Sequence, residues 1–261
     1  AAGCLSVLTL NQTPVTLTEK VKGICEEAFD EVLDKMNRNY ARFLEATHQP
    51  VHKLPWSRKV VDFMTLYEEA KAAGGEAFER EYRSELKTLQ QKLENNEMTL
   101  LDCNFALLDF VYGYITDLSP RVVYGLIPPY YPNVSNRYIT GLAPQIRSLD
   151  VDLDRFTRER FGQHYVSEEF YTGISDLSYT SISNSEEISA ALSKSMPFYG
   201  TLYDIAISDI ETISMPCINI GPWGKDFHKL TERVLKRDLC ERTPAIIQHA
   251  IGLVLADGDR Q

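Results

Sequence analysis

Several motifs that carry familiar chemistry are missing from this sequence. It contains no Gly-x-Ser-x-Gly segment, so the nucleophile elbow of the serine hydrolases cannot be assigned. It contains neither Gly-x-Gly-x-x-Gly nor a Walker segment, the glycine-rich loops that hold dinucleotides and nucleoside triphosphates. No His-x-Asp occurs anywhere in the chain. The chemistry of this protein therefore has to be sought outside these patterns.

Positive charge and cysteine are also scarce. The chain has 27 Lys and Arg against 37 Asp and Glu, which gives a net charge of −10 and argues against a nucleic-acid partner. Its five cysteines, at positions 4, 25, 103, 217 and 240, are widely scattered and never form Cys-x-x-Cys. They indicate reduced cysteines in a cytoplasmic protein, and argue against a disulfide framework or a zinc ribbon.

Long apolar runs are missing as well. The most apolar stretch, residues 98–118, is interrupted by Asp102, Asn104 and Asp109. We therefore predict a core helix there, with no membrane span and no membrane partner. The chain does not begin with Met, and its first residues resemble neither a secretory signal nor a spanning segment. We expect it to be a piece of a longer protein.

Helical and β-prone segments alternate along the chain. From Thr13-Pro14 to Leu44, apolar residues recur at three- and four-residue steps and predict one long amphipathic helix. The charged stretch that ends at residue 97 has few large apolar residues and is broken near Gly74-Gly75, so it predicts a helical hairpin that protrudes into solvent. Residues 138–161 and 243–255 predict further helices, and another begins at Asn184 or Ser185. The predicted strands are 3–10, 59–63, 121–127, 164–171 and 215–220.

We expect most of these strands to form one sheet. Residues 3–10 should pair with 121–127 or with 164–171, because all three segments are β-prone and amphipathic helices lie between them. The sheet should be mainly antiparallel and covered by helices on one face.

One stretch near the C-terminus combines residue types that suit a metal site. The apolar residues 217–220 run into Gly221-Pro222 and Gly224, a turn that neither helix nor strand crosses easily. His228 and Glu232 follow, four residues apart, so they share a face if a helix begins there. A histidine after a strand, with a carboxylate one turn later, suits a metal ligand and its supporting group. From the spacing alone, a surface His–Glu pair on a helix is the simpler interpretation.

Residues 218–234 resemble the C-terminal metal-binding segment of the M20 family of zinc amidohydrolases and peptidases. In that family a strand, a Gly-Pro-Gly-type turn and a His followed by Glu complete a two-zinc site. The likeness is closer to one branch, the arginine-utilisation proteins of the RocB type, and it extends over most of the chain. Three further segments occur in the order that this branch shows. They are Pro128-Pro129-Tyr130-Tyr131-Pro132, Ile174-Ser175-Asp176-Leu177-Ser178-Tyr179, and Ser195-Met196-Pro197 followed by Gly200-Thr201-Leu202-Tyr203.

The resemblance implies an α/β fold in two parts. Residues 1–172 would form a lid-like or dimerisation domain, an α+β sheet with helices on one face and a large helical insertion at about 48–118. Residues 173–261 would form the C-terminal part of an M20-type α/β catalytic domain. The family likeness also implies a homodimer that forms through the lid-like half.

The resemblance further implies a two-zinc hydrolase in which His228 is the last metal ligand. Glu232 and Asp176 are the candidate catalytic residues. Glu232 would orient His228 or contribute to the electrostatics of the site, and Asp176 resembles a Ser/Thr-Asp element near the substrate. Asp176 also suits a simple turn cap. Because the remaining ligands of the family pattern lie before the lid, this chain alone should bind zinc weakly or not at all.

Two functional hypotheses follow. In the first, the intact protein is a cytoplasmic, zinc-dependent amidohydrolase or peptidase that acts on a small arginine-related or N-acyl amino-acid substrate, or on a peptide. In the second, the chain is a non-catalytic module for dimerisation and substrate binding, or a degenerate family member without metal. An upstream His-x-Asp and Glu-Glu pair would favour the first.

Overall fold

Two units make up the chain, and each is assembled from segments that are distant in the sequence. The structure, a computed structural model, describes residues 1–170, 173 and 175–255, with the backbone alone for Asp176. The aromatic unit, as we call it, comprises Gln12–Pro132 and Asn184–Asp209. The hairpin unit comprises Ala1–Asn11, Asn133–Ser183 and Ile210–Gln261. The division into domains at residue 172 stays a prediction.

Helices dominate both units, the strands are short, and the predicted mixed α/β class is confirmed. In chain order the elements are α1 (Pro14–Ala46), β1 (Val60–Asp62), α2 (Phe63–Glu94), α3 (Leu100–Tyr112), β2 (Val122–Tyr124), α4 (Pro144–Arg147), α5 (Leu149–Phe161), α6 (Ser185–Ser195), α7 (Ile207–Thr212), β3 (Gly224–Lys225), β4 (Arg233–Val234) and α8 (Thr243–Leu255). Turns of 3₁₀-helix lie at Asn136–Tyr138 and Asp176–Tyr179, and a π-helical turn, Asp238–Arg242, leads into α8. No helix in the described part of the chain has the length and apolar character needed to cross a membrane.

The capping threonine and the proline after it predicted the start of the long first helix correctly. Thr13 is the N-cap of α1, and its hydroxyl accepts a hydrogen bond from the N–H of Thr16 at 3.3 Å. The hydroxyl of Thr16 in turn accepts from the N–H of Thr13 at 3.0 Å, which completes a capping box. Pro14 fits the first turn because no N–H is needed there.

The core of the aromatic unit lies where α2 packs against α3, which contradicts the predicted solvent-facing hairpin. Phe78 of α2 is fully buried, and its ring lies 5.3 Å from that of Tyr67 and 5.0 Å from that of Tyr114, centroid to centroid. The prediction was wrong because the few apolar residues of α2 are spaced to meet one neighbour, α3, and large aromatic rings supply the buried area. The buried cluster consists of Phe63, Leu66, Ala70, Phe78, Leu89, Cys103, Leu107, Val111, Ile115 and Phe198.

The predicted break in α2 at Gly74-Gly75 is confirmed. Gly75 has a φ of 57°, a left-handed conformation that kinks the helix and favours glycine. Gly74 is needed for a different reason. A Cβ at this position would lie 2.7 Å from Cβ of Phe78 and 2.7 Å from Cδ1 of Tyr114. The two glycines therefore let the helix bend around its own aromatic core.

The strands form two separate pairs. β1 and β2 pair in parallel, with Val60 opposite Val122, so the strands predicted at 59–63 and 121–127 are confirmed in shortened form. The prediction that residues 3–10 join a mainly antiparallel sheet is wrong. Residues 3–10 form no strand, and Leu5 is 91% exposed. A β-prone composition favours a strand only where a partner and a half-buried surface exist.

Two further predicted strands are also absent. Residues 164–170 have no regular structure, while Tyr171 lies outside the described residues. Residues 215–220 are likewise not paired with another strand. Hydrogen bonds from side chains replace strand pairing in this second segment, as described below.

The core of the hairpin unit lies between α5 and α8. Leu149 and Leu153 of α5 are buried together with Ile246 and Ala250 of α8. The predicted helix at 243–255 is confirmed, and the one at 138–161 forms only from α4 onward. The ring of His249 stacks on Phe156 with 4.1 Å between centroids, so this histidine is part of the packing.

Candidate functional site

The segment that resembles a metal-binding motif folds as a β-hairpin. β3 and β4 pair antiparallel, with Gly224 opposite Val234 and Lys225 opposite Arg233. Gly224 is required there, because a Cβ would lie 2.9 Å from the backbone oxygen of Arg233. No helix begins at His228, so the shared helix face that the four-residue spacing would give does not form. Both Asp226 and His228 have left-handed backbones, with φ of 57° and 62°, and a right-handed helix excludes that conformation.

His228 and Glu232 are nevertheless brought together at the tip of this hairpin. The backbone N–H of His228 donates a hydrogen bond to Oε2 of Glu232 at 3.2 Å. The imidazole ring is exposed and lies edge-on to Phe227, with 5.8 Å between centroids. Within the described part of the chain, the ring nitrogens of His228 make no hydrogen bond. The ring is therefore free to bind another group, while Glu232 holds the backbone behind it.

Asp226 links the two sides of the hairpin loop. Its Oδ2 accepts hydrogen bonds from the hydroxyl of Thr231 at 3.0 Å and from the guanidinium of Arg233. Arg233 also donates to the backbone oxygen of Thr231 at 3.0 Å. On the other side, the ammonium of Lys225 lies 5.4 Å from the centroid of the Trp223 ring, within the range of a cation–π contact. These contacts explain why the loop keeps a defined shape although it is exposed.

A buried carboxylate, Asp238, supports the base of the hairpin. Asp238 is 3% exposed, and its Oδ2 accepts a hydrogen bond from the N–H of Trp223 at 3.2 Å. Its Oδ1 accepts from Nη1 of Arg242 at 2.7 Å. The backbone oxygen of Trp223 in turn accepts from the N–H of Leu235 at 2.9 Å.

Sequence reasoning missed Asp238 and Arg242. The one available signal is the four-residue spacing of opposite charges on a helix. Arg237 and Glu241 show the same spacing one residue earlier, and their side chains are exposed. The sequence therefore does not distinguish the buried pair from the exposed one.

Asn136 holds the segment that leads into the hairpin. Its side-chain N–H donates to the backbone oxygen of Cys217 at 2.8 Å, and its Oδ1 accepts from the N–H of Cys217 at 3.0 Å. One amide side chain thus makes the two hydrogen bonds that a neighbouring strand would make. Ser175 lies beside the same segment, with its hydroxyl 3.4 Å from Oδ1 of Asn219.

The predicted site residue Asp176 lies on a 3₁₀ turn that follows Ser175. The backbone of this turn spans Asp176–Tyr179, whereas the side chain of Asp176 lies outside the described part of the chain. Ser175 caps the turn, because its hydroxyl accepts from the N–H of Leu177 at 3.2 Å. The role of Asp176 near a substrate stays a prediction.

A separate polar cluster surrounds His164. Nδ1 of His164 lies 2.7 Å from Oδ1 of Asp154, and Nε of Arg158 donates to Oδ2 of the same carboxylate at 2.8 Å. The hydrogen bond from Arg158 is the main reason why the pKa of Asp154 falls to about 2. His164 and Arg158 are both more than half exposed, so the cluster is a surface ion-pair network.

The residues described here do not form a zinc site by themselves. Catalytic zinc normally keeps three protein ligands. Among the described residues, no group of three or more His, Cys, Asp or Glu side chains is placed to hold a metal ion. His228 could supply one nitrogen, and Glu232 already accepts a hydrogen bond from the backbone.

Comparison with known proteins gives two relatives. This chain is similar to Protein RocB of Bacillus subtilis. The two are 23% identical over 226 residues, which cover 86% of this chain and 38% of RocB. The chain is also 24% identical to the uncharacterized protein YqjN of the same organism over 264 aligned residues, which cover 99% of this chain and 45% of YqjN. It thus spans less than half the length of these relatives.

No family model and no solved structure matches the chain. The predicted likeness to RocB-type proteins is confirmed, whereas membership of the M20 family stays a prediction.

Proposed function

We propose that this chain is the lid and C-terminal portion of a RocB-like, M20-type zinc-dependent amidohydrolase or peptidase. The observation that carries the proposal is the similarity to RocB over 86% of the chain. The four motif segments, found in the family order, give it further support. The substrate would be a small arginine-related or N-acyl amino acid, and the protein would be cytoplasmic.

The hairpin geometry agrees with this proposal. The exposed imidazole of His228 has free ring nitrogens within the described residues, as a metal ligand requires. When bound, zinc would activate a water molecule for attack on the amide. The other ligands would come from parts of the longer protein outside this chain. The hydrogen bond between Ser175 and Asn219 places the turn that carries Asp176 beside the segment leading to His228, which supports a role for both in one site.

The test uses the full-length protein that contains this chain. Its zinc content and its hydrolysis of a panel of N-acyl amino acids, including N-acyl arginines, are measured. We expect His228→Ala to lower kcat/KM at least ~100-fold, because an absent zinc ligand is not replaced by neighbouring side chains. His48→Ala is the matched control, because His48 is also exposed and also has a left-handed backbone, with φ of 55°.

Three results would each contradict a part of the proposal. A full-length protein with neither zinc nor hydrolysis of any amide would contradict the function. An unchanged kcat/KM in His228→Ala would remove His228 from the site. A stoichiometric, chelator-resistant zinc on the 261-residue chain alone would show that this chain itself supplies the remaining ligands.

We further propose that the protein forms a homodimer through α1. Ile24, Val32 and Phe43 on this helix are each more than half exposed, although they are large and apolar. The flanking charges change sign along the helix. Between residues 27 and 42, Glu27 and Glu31 are followed by Lys35, Arg38 and Arg42, and none of the five makes an ion pair with a described residue. Two copies of α1 packed antiparallel would place the acidic half of each against the basic half of the other.

Sedimentation of charge-reversal variants tests this interface. We expect Glu27→Lys/Glu31→Lys and Lys35→Glu/Arg38→Glu each to be monomeric at micromolar concentration, because reversal places like charges together. An equimolar mixture of the two should form heterodimers, because their charges are complementary again. A monomeric wild-type protein, or a mixture that stays monomeric, would contradict the proposal.

A further inference from the structure

We propose that Asp238 is a positioning residue that fixes the base of the hairpin carrying His228, and that Asn136 fixes the segment before it. The effect expected on hydrolysis rests on the proposed function. The anchoring itself does not, and it is measured separately.

The burial of Asp238 is the first observation. An ionised carboxylate that is 3% exposed needs partners for its charge and its lone pairs. Asp238 has two kinds of partner, the guanidinium of Arg242 on one oxygen and the backbone N–H of Trp223 on the other. The side chain of Arg242 is itself 11% exposed, so the pair is little screened by solvent. Asp238 therefore connects the helical segment before α8 to the start of β3.

The helix geometry at Asp238 is the second observation. Residues Asp238–Arg242 form a π-helical turn, in which the N–H of Thr243 donates to the backbone oxygen of Asp238. Single π-turns are rare within helices and occur frequently at functional sites. Here the π-turn begins and ends with the two charged residues of the buried pair. The irregular turn and the hairpin anchor thus coincide.

A second anchor acts at Cys217, six residues before Trp223. Asn136 makes two hydrogen bonds with the backbone of Cys217, so both ends of the connection Cys217–Trp223 are held by side chains from other parts of the unit. Gly221 and Pro222 lie between the two anchors. No strand pairs with this connection in the described residues. The direction in which the hairpin leaves the unit therefore depends on Asn136 and Asp238.

The position of His228 follows from these anchors. β3 and β4 have two residues each, and their pairing begins directly after Trp223, whose backbone oxygen accepts from Leu235. A hairpin this short has little stability of its own in water. Freeing the N–H of Trp223 should therefore loosen the whole hairpin and displace the exposed ring of His228.

The experiment compares Asp238→Ala with Asp238→Asn and Glu241→Ala in the full-length protein. Amide hydrogen exchange is measured at Trp223 and Leu235, and kcat and KM are measured for the best substrate. In Asp238→Ala we expect exchange at both amides to rise about tenfold, the effect of losing one hydrogen bond to a charged acceptor. We also expect kcat to fall with little change in KM, because His228 is misplaced. Asp238→Asn retains an acceptor oxygen for Trp223, so exchange should stay within about threefold of wild type.

Glu241→Ala is the matched control, because Glu241 pairs with Arg237 in the same helical turn but both side chains are about two-thirds exposed. Its exchange and its kinetics should equal those of wild type. Exchange in Asp238→Ala at the level of this control would overturn the anchoring. Faster exchange with unchanged kcat would overturn the positioning role. If the wild-type protein hydrolyses no substrate, the proposed function fails and the exchange measurement still decides the anchoring.

Asn136→Ala provides an independent variant should Asp238→Ala fail to fold. It should raise the exchange rate at Cys217 and lower kcat in the same way. Unchanged exchange at Cys217 would overturn the second anchor.

Discussion

Helices α1 and α2 have nearly the same length, 33 and 32 residues, and opposite degrees of burial. α1 buries Pro14 and Leu44 alone, whereas α2 buries five residues along its length. The sequence suggested the reverse, because α1 has the more regular apolar face and α2 has fewer large apolar residues. Periodicity shows that a helix has an apolar face. It does not show whether another element lies against that face. The apolar face of α2 is buried because α3 packs against it.

The two helices should differ most in the free energy of unfolding that is lost when an aromatic side chain is removed. Phe78→Ala in α2 should lower the free energy of unfolding of the aromatic unit by about 3–5 kcal/mol, because Phe78 is fully buried among Tyr67, Phe110 and Tyr114. At a concentration where the protein is monomeric, Phe43→Ala in α1 should change it by less than about 0.5 kcal/mol, because Phe43 is 56% exposed in the single chain. Denaturant unfolding of both variants measures the difference. Equal losses would show that α1 is as well packed as α2.

The next largest difference in stability should come from removing an ion pair in each helix. Glu69 of α2 accepts two hydrogen bonds from Arg121, at 2.7 and 3.1 Å, and the side chain of Arg121 is 4% exposed. Glu69→Gln should therefore cost about 2–3 kcal/mol, since Asp117 remains as a partner of Arg121. Glu26→Gln in α1 should cost less than about 0.5 kcal/mol, because its pairs with Lys22 and Arg58 are 3.9 Å long and exposed to solvent.

The cost of Glu69→Gln should also depend on pH. The hydrogen bonds from Arg121 are the main cause that lowers the pKa of Glu69 below its usual 4.5. A carboxylate with a lowered pKa in the folded state stabilises the fold above its usual pKa, and this contribution is lost as the pH falls through the lowered value. The difference between wild type and Glu69→Gln should be constant near neutral pH and shrink below about pH 4.5. A difference that grows on acidification would contradict this assignment.

Glycine substitutions should give the smallest individual effects, and these effects should have opposite signs in the two helices. Gly74→Ala in α2 should cost about 1–2 kcal/mol, because its Cβ would lie 2.7 Å from atoms of Phe78 and Tyr114. Gly23→Ala in α1 should stabilise the unit by about 0.5–1 kcal/mol, because alanine favours a helix and no atom lies within 4 Å of the added Cβ. Thermal unfolding of the two variants shows the sign of each effect. A stabilising Gly74→Ala would mean that the core around Phe78 is loosely packed.

Elements fixed by neighbouring residues could be predicted from the sequence, and those that need a distant partner could not. The start of α1 at Thr13 and the break at Gly75 depend on local capping and on glycine conformation, and both were correct. The strand predicted at 3–10 needed a partner that the sequence does not reveal. At the candidate site, the four-residue spacing indicated that His228 and Glu232 lie close together, and they do. The sequence did not predict the left-handed backbone of His228. It also did not predict the support from Asp238, because that support depends on how the turn before α8 meets the start of β3.

The parallel pairing of β1 with β2 has a consequence for the order of folding. Val60 lies opposite Val122, so this pair closes a loop of about 60 residues that contains both α2 and α3. The contacts between α2 and α3 are close in sequence, and helical hairpins of this kind form faster than strand pairs that join distant segments. We therefore expect the helical hairpin to bring the two strands together, with their pairing as a late event. Weakening the strand pair should accelerate unfolding and leave the folding rate nearly unchanged.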